Sequence, residues 1–127
     1  MSLFGRRKPE QNPVGVFEAA QQAFTRDFKE WLARIEDAQE RSGSAQLSGE
    51  ILAIAGAVPL YDRTGLNTTQ LVYIRSYARS YAENMLRHRR DAAVVAAANA
   101  SGPMEAARVE SAVSYWDSVQ AYLADAL

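Results

Sequence analysis

The sequence predicts an all-α protein, and three observations support this. Apolar residues recur at steps of three and four along most of the chain, no segment alternates as a strand does, and glycine, serine or proline residues separate the periodic segments. The 127 residues are 48% hydrophobic and 23% charged, as in an ordinary globular domain. We therefore predict a single helical domain over 14–127, an elongated antiparallel bundle with helices at about 14–41, 49–58, 67–100 and 104–126.

The first helix carries a heptad-like stripe about four turns long. Its members are Phe17, Gln21, Phe24, Phe28, Trp31, Ile35 and Ala38. Charged residues fill the positions between them, and Ser42-Gly43-Ser44 ends the helix. The stripe fits packing inside one chain and packing between two chains equally well.

The second and third helices have recognisable boundaries. Ser48 is a predicted N-cap and Pro59 the predicted end of the second helix, while Asn67 and Gln70 have the spacing of a capping box for the third. On the third helix, one predicted apolar face consists of Leu71, Ile74, Ala78, Tyr81, Met85, Ala92, Val95 and Ala96. Leu86 falls on another side of the helix, with the arginines.

The last helix has apolar residues over about half its circumference, more than packing on one side requires. The third helix would also be roughly 50 Å long, against a diameter of roughly 36 Å for a compact domain of this size. Both features predict a homodimer, and the alternative is a last helix central to its own bundle. The predicted partner-binding residues are Tyr115, Trp116, Val119, Tyr122 and Leu123, with Tyr73 and Tyr77 of the third helix.

The sequence offers little for catalysis. It has no cysteine, and no local segment supplies a nucleophile for the single histidine, His88, which we expect to be a partly buried or capping residue. No Gly-rich phosphate loop, Glu-x-x-His pair or calcium-binding loop is present. We expect no catalytic residues, no metal and no cofactor.

Basic residues are concentrated on the third helix. Residues 67–90 carry five arginines against one acid, Glu83, whereas residues 103–127 carry one arginine against four acids. The simplest interpretation is attraction between the third and last helices. The same arginines are the candidates for contact with an anion or a nucleic acid: Arg75, Arg79, Arg87, Arg89 and Arg90.

The first 13 residues are predicted to be a flexible tail. Its candidate docking residues are Leu3, Phe4, Arg6, Arg7 and Lys8. Three cations near an anionic membrane contribute roughly 3 kcal/mol, which supports only weak membrane contact. Docking onto a larger assembly and simple disorder are the alternative interpretations of the tail. The order of charged and apolar residues does not fit a secretory signal, and the lack of cysteine suits a cytoplasmic protein.

These observations favour a non-enzymatic helical protein–protein interaction module, a small accessory, adaptor or assembly factor acting as a homodimer with an unidentified protein partner. One alternative is a small DNA-binding regulator that uses the arginines of the third helix. A second is a peripheral membrane-associated assembly component that uses the N-terminal tail.

Overall fold

A computed structural model describes residues 13–127 of the chain. These residues form four α-helices without strands: α1 (Pro13–Ser42), α2 (Gly49–Ala55), α3 (Thr68–Ala98) and α4 (Pro103–Ala126). The all-α prediction is therefore confirmed. The predicted tail lies outside the described residues, apart from Pro13, which begins α1.

The helix boundaries follow local chemistry. The Asn67 side chain accepts from the Gln70 backbone N–H over 2.8 Å, and the Gln70 side chain accepts from the Asn67 N–H, so the predicted capping box is present. Ser48 caps α2 as predicted, by accepting from the N–H of Ile51. The end predicted for α2 is wrong by three residues. Gly56, at a φ of +89°, turns the chain away and donates its N–H to the Leu52 carbonyl, so the helix ends before Pro59 is reached.

The middle of the α1 stripe forms the centre of the core. Phe24, Phe28, Trp31 and Ile35 are all at most 1% exposed within the single chain. The rings of Phe24 and Phe28 stack with their centroids 5.5 Å apart. The heptad-like seam of α1 therefore packs inside one chain.

The buried face of α3 differs from the predicted face. Ile74 and Ala78 are buried as expected, but the other buried residues of the helix are Ala82, Leu86 and Ala93. The α3 helix packs against both α1 and α4, so its buried face is turned towards α4 relative to the prediction. The small alanine side chains leave room for α4 to approach closely. Two residues assigned to the core by periodicity, Ala92 and Val95, are exposed.

Side chains from α1 and α4 fix the segment between α1 and α3. The Trp31 indole N–H donates to the Gly56 carbonyl over 2.7 Å, and Arg34 Nε donates to the Ala55 carbonyl over 3.0 Å. On the α4 side, the Ser118 hydroxyl oxygen accepts from the Leu47 N–H over 2.7 Å. These bonds hold α2 against the long helices. None of the helices formed by residues 13–127 is both long enough and apolar enough to cross a bilayer.

Candidate interaction surface

The predicted partner-binding residues of α4 lie in the core of the single chain. Tyr115 and Val119 have no exposed surface, Trp116 and Leu123 are at most 5% exposed, and Tyr122 is partly buried. The apolar width of α4 is accounted for by packing within one chain, as in the alternative of a central last helix. It gives no separate reason for a second subunit.

Aromatic contacts show which helices cover α4. Tyr122 stacks on Trp31 of α1 with the centroids 6.2 Å apart, and the Tyr115 hydroxyl donates to the Ile35 carbonyl over 2.7 Å. Burial of the phenol raises the pKa of Tyr115 to about 12. Tyr115 and Tyr122 thus connect α4 to α1.

The tyrosines of α3 separate into two groups. Tyr73 is 62% exposed, whereas Tyr77 is partly buried and its hydroxyl forms a hydrogen bond of 2.8 Å with the Thr25 hydroxyl of α1. Tyr77 also stacks on Tyr81, with the centroids 6.1 Å apart. Of the two tyrosines predicted to bind a partner, Tyr73 is therefore the one with a largely free ring.

Two of the candidate arginines contact the carboxyl end of α4. Arg75 Nε donates to the carbonyl of Leu127 over 3.3 Å, and an Arg79 Nη donates to the carbonyl of Ala124 over 3.4 Å. Cations are favourable at a helix carboxyl terminus, where carbonyls lack helical partners. These two arginines meet backbone oxygens of α4 rather than its acidic side chains.

The other three arginines have three different partners. Arg90 pairs with Asp117 of α4, and this carboxylate raises the pKa of the Arg90 guanidinium; Arg89 lies 3.6 Å from the Glu36 carboxylate of α1. The predicted attraction between α3 and α4 is thus present as an ion pair at Arg90. Arg87 is exposed and contacts only Asn84 of its own helix. The five arginines therefore contact groups on three different helices.

His88 is exposed on α3, so the expected partial burial is corrected. It lies about two turns beyond Tyr81, whose ring contacts Phe24 and Phe28 of α1. Across residues 13–127, no group of three or more histidine, aspartate or glutamate side chains is arranged to hold a metal ion.

Two open grooves border α1. The first, of about 550 Å³, has mainly amide, hydroxyl and charged side chains around the Thr25–Tyr77 hydrogen bond. The second, of about 490 Å³, lies between the start of α1 and the loop before α3, and small apolar residues of α1 line it opposite Asp62. The backbone N–H of Thr64 donates to Asp62 and lowers the pKa of that carboxyl. Neither groove brings a nucleophile together with a histidine base.

Within the part of the chain whose side chains are described, residues 15–127, the exposed large apolar side chains form a different set from the predicted one. They are Ile54, Leu60, Val72, Tyr73, Val94, Val95 and Met104, between 42% and 88% exposed. Only Tyr73 among them is a predicted interface residue. The exposure of Val72 and Val94 could have been predicted from the sequence, because both residues lie outside the apolar stripe of α3. An apolar residue outside the stripe has no place in the core.

Comparison of the chain with known protein families, curated proteins and solved structures gives no match. The candidate docking residues of the N-terminal tail lie outside the described residues. The candidate site is thus defined by the surface of residues 13–127 alone, and its most distinctive feature is the exposed apolar set.

Proposed function

We propose that this chain is a non-enzymatic helical interaction module, a small accessory, adaptor or assembly factor that functions as a homodimer and binds a further protein. The observation that carries the proposal is the exposure of large apolar side chains at both ends of α3. Val72 and Tyr73 are 63% and 62% exposed near its start, and Val95 is 59% exposed near its end. Grouped exposed apolar residues are a feature of protein–protein interaction sites.

The surface near the start of α3 has the composition of a partner-binding patch. Val72 borders a shallow groove of about 210 Å³ that also includes Tyr61, Arg63 and Leu71. The Arg63 guanidinium lies 5.9 Å from the centroid of the Tyr61 ring. Tyr73 and Arg63 are both exposed, and exposed aromatic and arginine side chains are typical of the residues that dominate binding energy. We call Leu60, Val72 and Tyr73 the proximal patch.

Thr25 of α1 contacts Tyr77 of α3, and Glu36 lies 3.6 Å from Arg89 further along both helices, so α1 and α3 run in the same direction and the predicted antiparallel order does not hold for this pair. We propose that α4 runs antiparallel to both in an elongated bundle that presents these residues on a rigid support. Two sets of contacts support this arrangement. Arg75, early in α3, contacts Leu127, which directly follows α4, whereas Arg90, later in α3, contacts Asp117 near the middle of α4. At 1.5 Å per residue, α1 and α3 are each roughly 45 Å long. Side chains at opposite ends of α3 are therefore available to separate partners or to one extended partner.

Affinity capture from an extract of the source cells tests the proposal. The full chain would be compared with a Leu60→Ser/Val72→Ser/Tyr73→Ser variant, and with a Gln22→Ala/Ser114→Ala control altered at exposed polar positions of α1 and α4. We expect the wild type and the control to retain one or more partners that the proximal-patch variant loses. Circular dichroism must show the same helical content and thermal midpoint in all three.

Light scattering over the micromolar range tests the homodimer. A protein that is monomeric at high micromolar concentration would contradict that part of the proposal. If neither the wild type nor the control retains a partner protein, the proposal of an interaction module is contradicted.

A further inference from the structure

One face of α3 is covered by neither α1 nor α4. It comprises exposed residues that fall within a sector of about 100° on the helix: Tyr73, Ser76, Ser80, Glu83, Asn84, Arg87, Asp91, Val94 and Ala98. Tyr77 and Tyr81, which contact α1, lie to one side of this sector, and Arg79 and Arg90, which contact α4, lie to the other. We call these nine residues the outward face of α3.

Charges on and beside the outward face alternate in sign. Arg79, Glu83, Arg87 and Asp91 follow one another at intervals of four residues. A second α3 helix running in the opposite direction, with the two-fold axis at Met85, would place Glu83 opposite Arg87 and Arg79 opposite Asp91. Each pairing occurs twice because the axis is symmetric. Only an antiparallel copy in this register pairs every member of the series with its opposite charge.

The charges in the centre of this series are available for such pairing. Residues 13–127 form four ion pairs of 4.0 Å or less, and none of them uses Glu83, Arg87 or Asp91. Arg87 bonds only the Asn84 side chain of its own helix. A partner that supplies a carboxylate opposite Arg87 and a guanidinium opposite Glu83 therefore displaces no ion pair within the chain.

The apolar and small residues of the outward face agree with the same register. Two-fold symmetry about Met85 places Tyr73 of one copy beside Val94 and Ala98 of the other, at both ends of a seam roughly 36 Å long. Tyr73 is 62% exposed and Val94 is 42% exposed in the single chain. Between them, the short side chains of Ser76 and Ser80 allow the two helices to approach closely.

From this charge complementarity and the exposed apolar ends, we infer that the outward face of α3 binds the same face of a second copy of this chain, antiparallel about Met85. The inference rests on the homodimer of the proposed function and gives it a surface. It places the contact on α3, in place of the α4 residues that are buried within the chain. The proximal patch shares Tyr73 with this seam, whereas Val72 lies beside the seam on α3 and Leu60 lies in the loop before α3.

Disulfide crosslinking tests the register directly, because the chain contains no cysteine. In the proposed dimer, two copies of residue 84 are about 3 Å apart along the helix axes, whereas two copies of residue 80 are about 15 Å apart. Helices in contact bring facing Cα atoms within the 4.4–6.8 Å range of a disulfide only when this offset is small. Under mild oxidation, Asn84→Cys should form a covalent dimer at least about tenfold faster than Ser80→Cys.

A second cysteine set keeps the test decisive if substitution of Asn84 disturbs its bond with Arg87. Residues 76 and 94 face one another across the proposed axis, and copies of either residue alone are about 27 Å apart along it. The Ser76→Cys/Val94→Cys variant should therefore crosslink, and each single variant should not. Equal crosslinking of Asn84→Cys and Ser80→Cys, or of the double variant and its singles, would overturn the inference.

Charge exchange gives an independent test. Glu83→Arg alone or Arg87→Glu alone should raise the dimer dissociation constant about tenfold or more, since each places like charges opposite one another twice. The Glu83→Arg/Arg87→Glu double variant restores both pairings and should return to within about threefold of the wild type. If the wild type is a dimer but the single variants leave the dissociation constant unchanged, this surface is wrong while the homodimer stands. If the wild type is a monomer, both the α3 surface and the homodimer are wrong. Affinity capture of a different protein then still tests the proposal of an interaction module.

Discussion

The hydroxyl of Tyr115 in α4 donates a hydrogen bond of 2.7 Å to the backbone carbonyl of Ile35 in α1. Both residues have no exposed surface, and they are 80 positions apart in the chain. The bond joins two helices at the centre of the core, and it explains how a polar atom is tolerated there, since a buried hydroxyl without a partner is costly.

Removal of this hydroxyl should destabilise the fold. Tyr115→Phe keeps the ring but removes the donor to the Ile35 carbonyl, and we expect a loss of about 1–2 kcal/mol in the free energy of unfolding. Urea denaturation followed by circular dichroism measures it. The control is Tyr122→Phe, which removes the hydroxyl of a partly buried tyrosine two turns further along the same helix and should cost less than about 0.5 kcal/mol. Equal losses in the two variants would contradict a special role for the Tyr115–Ile35 bond.

The same hydroxyl should make stability depend on alkaline pH. Burial raises the pKa of Tyr115 from 10.0 to about 12, so between these values the folded chain holds a proton that the unfolded chain has released. The free energy of unfolding should therefore fall as pH rises through this window, on the order of 2 kcal/mol in total, and this group should contribute no pH dependence below it.

The contribution of Tyr115 is obtained by difference, since other tyrosines and the lysines also titrate at alkaline pH. Unfolding free energies of the wild type and of Tyr115→Phe would be compared at both ends of the window. We expect the two curves to converge as the pH rises. Parallel curves would show that the Tyr115 phenol is not protected from ionisation by the fold.

A third prediction concerns the attachment of α2. Trp31→Phe removes the indole N–H that donates to the Gly56 carbonyl and also leaves a space in a fully buried position, so we expect a loss of about 2–4 kcal/mol. Trp116→Phe is the matched control, because Trp116 is also buried but its indole N–H donates to no backbone carbonyl within residues 13–127, and its loss should be smaller. Hydrogen exchange should show faster opening of α2 in Trp31→Phe alone.

A fourth prediction concerns the loop before α3. Gly65 has a φ of +80°, and an added Cβ would lie 3.3 Å from Cγ1 of Val16 in α1. Gly65→Ala should therefore destabilise the chain by about 1–2 kcal/mol, through backbone strain and a close contact. Gly49→Ala, at the first position of α2, meets no atom within 4 Å and should be neutral or slightly stabilising. Thermal denaturation of the pair measures the difference, and equal midpoints would contradict it.

The candidate site was much less predictable from sequence than the fold. Periodicity identifies the apolar residues of a helix but not the number of neighbours that cover them. The face of α4 with Tyr115 and Val119 was wide enough for a partner chain, yet α1 and α3 cover it. Conversely, Val95 matched the apolar stripe of α3 and is exposed, because α4 approaches the helix on the side of Ala93.

The arginines show the same limit. Their excess over acids on α3 was visible in the sequence, and Arg90 does pair with an acid of α4. The contacts of Arg75 and Arg79 with the last carbonyls of α4 were not predictable, since they depend on where that helix ends beside α3.

By itself, the sequence determined the all-α class, the order of the four helices and the chemistry of their starts, because caps, glycines and proline act within a few residues. The tertiary structure alone decided which side of α3 is buried, that the α1 seam is internal, and which apolar side chains remain exposed. Those outcomes depend on how the three long helices pack against one another. This packing is a balance of contacts between residues far apart in the chain. Local periodicity carries no information about that balance.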